Sequence, residues 1–456
     1  MAIETTPSAA ELRTQLTDQG VQFVFAQFVD MHGKPNAKLV PIEHLEGLFE
    51  DGAGFAGFAA GDIGQGPHDP DIAAMPDPRS LTPLPWKPEI ARFACDVTVE
   101  GEPWPYCPRT ILRNQLDRAK ALGFDFKVGC ELEYFLVRRR PDGGIELADE
   151  LDTLDQPCYD MRALTRQLPF VTDIARHVNS LGWGLYATDH EDANGQFEQN
   201  FTYDDALTTC DRAVFFRYMV ESIAQERGML ATFMPKPFAN LTGNGCHFHM
   251  SLWEGDRNVM DADPASDPRK LGLSKQGYHF IAGLMEHAKA YIAVTAPTVN
   301  SYKRLKVGDP RSGATWAPVY VSYAYNNRTQ MLRVPAPGRV EDRTVDGSCN
   351  PYLAATVLLA AGLDGIEREL ECPAPNPMNL YESTPEQRAE LGIDTLPANL
   401  LDATRELEAD DVLRKALGTT PGGDYLDYFV ACKRREVQAA HEQITAWELD
   451  RYLQLF

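Results

Sequence analysis

The sequence predicts an α+β chain with one smaller N-terminal domain and one large C-terminal domain. Three observations carry that reading. Segments with the two-residue alternation of strands are interspersed irregularly with long segments of helical period. At Cys107-Pro108 a proline stands just inside a new helix, where a first run of strands ends. The length, 456 residues, corresponds to about two to four domains at ~100–200 residues each, and a hydrophobic content of 44% supplies a substantial core. The domains are therefore drawn as 1–107 and 108–456.

Residues 21–30 (VQFVFAQFVD) and 37–41 (AKLVP) read as two strands around the Gly33-Lys34-Pro35 turn. Helical spacing follows over 41–50, and the Gly-, Pro- and Asp-rich stretch 52–88 reads as loop. Strands resume at 91–99. Beyond the helix that opens at Pro108 and ends at Gly123, strands are predicted at 126–138, 183–189, 195–202, 230–234, 245–253, 316–323 and 329–334. Long helices are predicted near 168–181, 204–227, 272–291 and 350–370, with a last one over 433–454.

Acidic residues outnumber basic ones 66 to 43, a net charge of −23. Such a field does not draw the chain to nucleic acid or anionic membranes, and an anionic substrate must be met locally by a cation or by arginines. No window approaches the ~20 apolar residues of a membrane span, and the N-terminus lacks the apolar stretch of a signal peptide. Nine cysteines, none in a C-x-x-C pair, read as reduced thiols. The expectation is a soluble, cytoplasmic protein. Gly52-Ala-Gly-Phe-Ala-Gly57 matches G-x-G-x-x-G, but a helix precedes it and glycine-rich loop follows, so a dinucleotide site is not expected.

Four segments carry chemistry. In VGCELEYFLV a strand places Glu131 and Glu133 on one face, about 7 Å apart, beside Phe135 and Val137. Two like charges on a partly buried face need a counter-charge, and a divalent cation supplies one. His190-Glu191 precedes a strand on which Gln196, Glu198 and Asn200 share a face opposite Phe197 and Phe201. In Asn244-Gly-Cys-His-Phe-His-Met-Ser251, alternation sends His247, His249 and Ser251 one way and Cys246 the other. That divergence disfavours a cysteine–histidine nucleophile. The fourth segment gathers Arg304, Arg311, Arg328, Arg333, Arg339 and Arg343 around Glu341, side chains suited to gripping carboxylate or phosphate. Oxygen-dominated ligation fits magnesium or manganese better than zinc, and metal with arginine is apparatus for phosphoryl transfer.

In this order the segments GCELEYFL, HEDANGQFE, MPKPF with GNGCHFHMSLW, NSYKRL, NNRTQMLRVP, GRVEDR and NPYLAA resemble the glutamine synthetase family across nearly the whole chain. The resemblance implies a β-grasp-like N-terminal domain and a catalytic domain with a curved antiparallel sheet. It implies a homo-oligomer of stacked rings, a dodecamer, with active sites shared between neighbouring subunits. Glu133, Glu191 and Glu198 match the ligands of one metal, and Glu131, His247 and Glu341 those of a second, with Mg2+ (or Mn2+) in two or three sites. Gly243, Arg304 and Arg343 match contacts to glutamate, alongside Glu131, Glu191 and His247. Arg328 and Arg333 match the grip on the transferring phosphate, and Tyr203, His249, Ser251 and Arg339 contacts to ATP. The implied chemistry is formation of γ-glutamyl phosphate and its capture by an amine.

Two departures set the chain apart from the family's usual pattern. Ala56 stands where members carry the aspartate that holds ammonium, and KVGDPRSGATWAP lacks the flap glutamate. Thr242 also replaces the usual asparagine before Gly243. With Phe55, Phe58 and Trp316 nearby, the amine pocket is expected to be roomier and more apolar, suited to methylamine. The segments GAGFAGFAAGD and SGATWAP resemble the γ-glutamylmethylamide synthetase branch. Asp62 and Asp309, each the acid closest in sequence to a missing one, are the candidate proton acceptors. The rivals are ligation of ammonia or another amine, and a non-catalytic member of the family. Tyr381 sits where some bacterial relatives are adenylylated, although an ordinary buried or surface tyrosine is the plainer reading.

Overall fold

A computed structural model describes residues 7–306 and 317–456. Helix α1 (Ala9–Asp18), capped by Ser8, precedes a mixed sheet. Strands β1 (Phe23–Val29) and β2 (Pro35–Pro41) form the hairpin expected from the Gly33 turn; helix α2 (Leu45–Asp51) follows. The stretch read as loop instead contains β3 (Ala53–Phe55), a single helical turn α3 (Gly57–Ala60) and β4 (Ile72–Pro76) before β5 (Ile90–Val99). Glycines and prolines dominate that composition, yet the alternating burial of Ile72, Ala74 and Pro76 suffices to seat β4 against β5. The sheet runs β2–β1–β5–β4–β3, with β1 and β5 parallel.

Helix α4 (Pro108–Ala121) leads to β6 (Asp125–Arg139), the spine of a second, mostly antiparallel sheet. Helix α5 (Leu168–Ser180) precedes β7 (Leu185–His190) and β8 (Gln196–Phe201); α6 (Ala206–Glu226) packs behind, followed by β9 (Leu230–Thr232) and β10 (Cys246–Glu254). Helix α7 (Lys275–Thr295), β11 (Tyr323–Tyr325), β12 (Leu332–Ala336), β13 (Arg339–Asp342) and α8 (Pro351–Glu367) follow. The sheet order is β7–β8–β6–β10–β13–β12–β11. Strand β13 is absent from the sequence reading because its residues Arg339–Asp342 are three-quarters charged, and β11 overlaps the strand expected at 316–323 only at Tyr323. The single closing helix expected over 433–454 is two, α11 (Tyr425–His441) and α12 (Ala446–Tyr452), after α9 (Leu400–Glu408) and α10 (Asp411–Leu417). Thr445 begins the last one through a reciprocal capping box with Glu448, which ends the preceding period.

A buried ionic network fastens the two sheets together. Arg109, 3% exposed at its side chain, pairs with Asp77 and Asp96 of the N-terminal unit and with Asp211 of α6, each at 2.9 Å. Asp211 also accepts the Tyr352 hydroxyl at 2.6 Å. Among the helices, the His287 ring bridges Asp410 (2.6 Å) and Asp364 (3.0 Å), tying α7 to α8 and to the start of α10. All nine cysteines are free, and no described helix is long and apolar enough to cross a membrane.

Two predictions follow from these networks. Arg109→Ala leaves three carboxylates without their shared cation and is expected to cost about 3–5 kcal/mol, read as a lowered urea midpoint. Burial pushes the His287 pKa down, but its bonds to Asp410 and Asp364 outweigh this and leave it above its ordinary 6.5. Its stabilisation is therefore complete below pH 6.5 and lost as pH rises through the folded-state value. The melting temperature is expected to fall more steeply above that pH in the wild type than in His287→Gln.

Candidate active site

The register of the second sheet lines up its acids. Glu133 of β6 lies opposite Glu198 of β8, which in turn lies opposite Asp189 of β7. Two residues along β6, Glu131 faces His247 of β10. His249 is paired with Glu341 of β13, and Glu341 with Arg333 of β12. Because side chains alternate, all of these point to one face. On that same face Phe135 and Val137 are buried in a small satellite cluster, while Tyr134, Phe197 and Phe248 go into the main core behind the sheet. Cys246 is fully buried on the core side, away from His247, as the alternation requires.

The acids and histidines surround a cavity of about 430 Å³. Glu131, Glu133, Glu191, Glu198, Gly243, His247, His249, Arg304, Arg328, Arg333, Arg339 and Arg343 all line it. Glu341 sits beneath, fully buried between Arg333 and Arg343, each at 2.7 Å. A neighbouring cavity of about 480 Å³ holds Tyr203 and Ser251, and shares Glu131, Asn200, His249 and Arg339 with the first. Its wall is aromatic: Tyr203 stacks on Trp253 at 6.5 Å, Lys127 lies 4.0 Å over the Trp253 ring, and Trp253 Nε1 donates to Ser251 Oγ.

Charge is unevenly settled across this face. Burial raises the Glu341 carboxyl, but Arg343, His249 and His247 outweigh it and hold the group down to about 2. Burial likewise opposes ionisation of Glu131, and the two histidines reverse it. On the other side nothing does so. Burial and then Glu133 push Glu191 up to about 8, and burial with Glu191, Glu131 and Glu133 raises Glu198. Asp189 is raised by burial and by Glu131. Among the described residues no lysine or arginine pairs with Glu133, Glu191, Glu198 or Asp189, and His247 lies 3.6 Å from Glu133, so the donor set fits a divalent cation. Two groups of donor atoms lie within 4.8 Å of one another, Glu131–Glu198–His247 and Glu131–His249–Glu341. This grouping differs from the one the resemblance implies, because His249 Nε2 reaches back to Glu131 at 2.8 Å.

Several supporting residues hold the site in place, and of these Asp152, Gly245 and Lys236 were not singled out in the sequence. Asp152 is 2.8 Å from His190 Nε2, whose Nδ1 lies 2.9 Å from the main-chain oxygen of Glu191; the Gly195 amide also donates to Asp152. This clamps the turn that presents Glu191. Gln196 donates to Glu133 and to the oxygens of Gly243 and Asn244. The Gly245 amide donates to Glu133 at 2.7 Å, and a Cβ there would stand 2.6 Å from His247 Nε2 and 2.9 Å from Glu133 Oε1. Lys236, in the quoted MPKPF segment, lines the cavity with its amine pushed down to about 8 by burial and the nearby Lys306 and Arg304. A lysine within an apolar run was the available signal. For Asp189 it was the strand partner of Glu198.

The candidate proton acceptors fare differently from the acids. Asp62 does not line this chain's cavity. It accepts from His32 Nε2 at 2.9 Å, lies 3.6 Å from Arg435, and is held below its ordinary range, His32 outweighing burial. The turn at Gly61 carries it towards the β1–β2 hairpin of its own chain. Ala56 itself caps α3 and is likewise absent from this cavity, with Phe55 edge-on to Phe28 at 5.0 Å and Phe58 50% exposed. Asp309 and Trp316 lie outside the described residues. The Tyr381 hydroxyl is buried, near Arg343 and Arg304, and burial pushes it up to about 12.

Acids, histidines and arginines so arranged on an antiparallel sheet form a site that could hold divalent cations beside an anionic group. Residues 105–452 match the family model "Glutamine synthetase, catalytic domain", and the chain belongs to the glutamine synthetase family. The chain is 45% identical over 450 residues to "Glutamate--methylamine ligase" of Methyloversatilis universalis, covering 98% of this chain and 100% of that one. It is 42% identical to "Glutamine synthetase" of Rhizobium meliloti, over 96% and 98%. A solved structure described as "GmaS/ADP complex-Conformation 1" superposes with a TM-score of 0.90 at 45% identity, over 97% and 99% of the two chains.

Asp152→Asn is expected to weaken divalent-cation affinity about 10–100-fold by loosening the Glu191 turn, with a smaller change in the KM for glutamate. A metal titration of the purified enzyme reads the effect directly.

Proposed function

We propose that the protein ligates glutamate to methylamine at the expense of ATP, giving γ-glutamylmethylamide, ADP and phosphate. The observation that carries this is the cavity in which an uncompensated cluster of buried glutamates faces a bank of arginines. The likeness to a relative named glutamate--methylamine ligase supports the choice of amine, as does Ala56 in place of a carboxylate.

Arg304, Arg343 and Gly243 hold glutamate with its γ-carboxylate towards ATP. Arg304 is fixed for this by donating to the carbonyls of Thr344 and Arg343, and a Cβ on Gly243 would stand 2.3 Å from the Pro235 oxygen. Tyr203, His249, Ser251 and Arg339 line the nucleotide's place. A γ-carboxylate oxygen attacks the terminal phosphorus, ADP leaves, and Arg328 and Arg333 offset the charge on the transferring group. Two or three Mg2+ ions (Mn2+ serving equally), held by Glu133, Glu191 and Glu198 and by Glu131, His247 and Glu341, would screen the phosphates when bound. The nitrogen of the neutral amine then attacks the γ-carbon, the bond from that carbon to the phosphate oxygen breaks, and the departing phosphate takes the proton the nitrogen sheds, while exclusion of water protects the acyl phosphate. The working form is a homo-oligomer of stacked rings, a dodecamer in the cytoplasm, in which the Ala56 loop of one subunit closes the amine pocket of the next.

Mass spectrometry with a panel of amines is expected to show γ-glutamylmethylamide as the favoured product. A clear preference for ammonia at matched free-base concentration overturns the assignment. Ala56→Asp restores a polar, charged wall and is expected to lower the methylamine-to-ammonia ratio of kcat/KM about tenfold or more. Chelation should abolish turnover, and Mg2+ or Mn2+ should restore it.

A further inference from the structure

Apart from the catalytic cavity, and sharing no lining residue with it, a cavity of about 120 Å³ lies where the N-terminal sheet meets α6. Its position follows from register. Phe25 and Gln27 take the same face of β1, opposite to Val24, Ala26 and Phe28; Ala37 pairs with Gln27, and Arg92 with Phe25. That face meets Phe215 and Tyr218 of α6, leaving an apolar chamber with Arg92 and Gln27 as its polar end.

Arg92 is the anomaly. It is 3% exposed, yet no carboxylate among the described residues lies within 4 Å of its guanidinium. Its Nη1 donates to Gln27 Oε1 at 3.2 Å and its Nη2 to the main-chain oxygen of Asp211 at 2.8 Å, both neutral acceptors. The guanidinium carbon lies 5.0 Å over the Phe215 ring, and Nε has no partner. Asp211 attracts the guanidinium from nearby but forms no ion pair with it, both of its oxygens being engaged by Arg109 and one also by Tyr352. A buried cation without a counter-charge is costly, and a fixed guanidinium is shaped to grip a carboxylate.

We propose that this chamber is a binding site for a small carboxylate with an apolar body, its anionic end on Arg92 and Gln27 and its body among Phe25, Ala37, Phe215 and Tyr218. The volume is of the order of the ~150 Å³ apolar cavity that accommodates a benzene ring, which makes benzoate the probe. The net charge of −23 disfavours anions at the surface, so the site selects by local contact rather than by field.

The test is calorimetric titration of the intact, assembled enzyme with benzoate, alone and with saturating glutamate and an ATP analogue. The expected result is one benzoate per chain, unaffected by the catalytic-site ligands. Neutral benzamide should bind at least tenfold more weakly and benzylamine not at all. Ala37→Phe fills the chamber from an exposed edge-strand position and should abolish binding while leaving the melting temperature and ligase activity unchanged. Arg92→Gln, checked for folding by its melting curve, should weaken binding at least tenfold. Absence of saturable binding to the wild type overturns the proposal, as does binding that survives Ala37→Phe or that glutamate displaces.

Discussion

Like charge buried on one face of a sheet is the constraint around which this chain is arranged. Glu131, Glu133, Glu191, Glu198 and Glu341 converge beneath a single cavity, and Asp189 joins them. Taking so many carboxylates from water is tolerable only where each meets a positive charge or keeps its proton. The protein supplies positive charge at one end, where Arg333 and Arg343 clamp Glu341 and the two histidines serve Glu131. At the other end no described lysine or arginine pairs with Glu191, Glu198 or Asp189, and there the carboxyl groups are driven upward. That asymmetry is a functional arrangement rather than a stabilising one, since a fold selected for stability alone would have spread the acids apart or neutralised them in place.

The rest of the molecule can be understood as keeping that row in register. A slip of one residue between β6 and β10 would turn the acids into the core and the aromatics into the cavity. Long antiparallel pairing between these strands, with eight matched positions from Cys246–Leu132 to Trp253–Asp125, resists such a slip. Gly245 lets the backbone approach Glu133 and His247 more closely than any side chain would permit. Behind the sheet, the Arg109 network fixes α4 and α6 against the N-terminal unit, so the two sheets share one set of buried charges.

Much of the face was legible from alternation alone. Glu131 with Glu133, Gln196 with Glu198 and Asn200, and His247 with His249 and Ser251 could each be placed on a common side before any pairing was known. Which strands would be neighbours was not legible, because pairing is non-local; Asp189 and Asp152 entered the site only through partners that lie 9 and 38 residues away along the chain. The stretch 52–88 was misread because glycine and proline mask short strands whose only signal is alternating burial, and the charged β13 was passed over because its apolar content is a single Val340. Sequence spacing could not foretell the surroundings of Asp62, which a glycine turn carries to His32. Resemblance to the family motifs supplied what local physics could not, namely expected roles for residues whose partners would be substrates.

Under the proposed function, the position of Ala56 would join specificity to assembly. The residue lies in the N-terminal unit, next to an exposed Phe58, and does not line the cavity formed by its own chain. A side chain acts on an amine only by contact or by field, and an alanine has no field to exert. If its substitution for an acid governs which amine is accepted, it must do so by removing a carboxylate from a cavity in another copy of the chain. The amine pocket would then be completed by two subunits, with the metal and phosphate chemistry belonging wholly to one of them. Selection for methylamine and selection for a particular packing of neighbours would fall on the same few residues, Phe55 to Phe58, whose backbone is set by the β3–β4 pairing and by Phe28 beneath. Such a coupling would let a family change its amine without disturbing its carboxylate row, since the two are carried by different sheets.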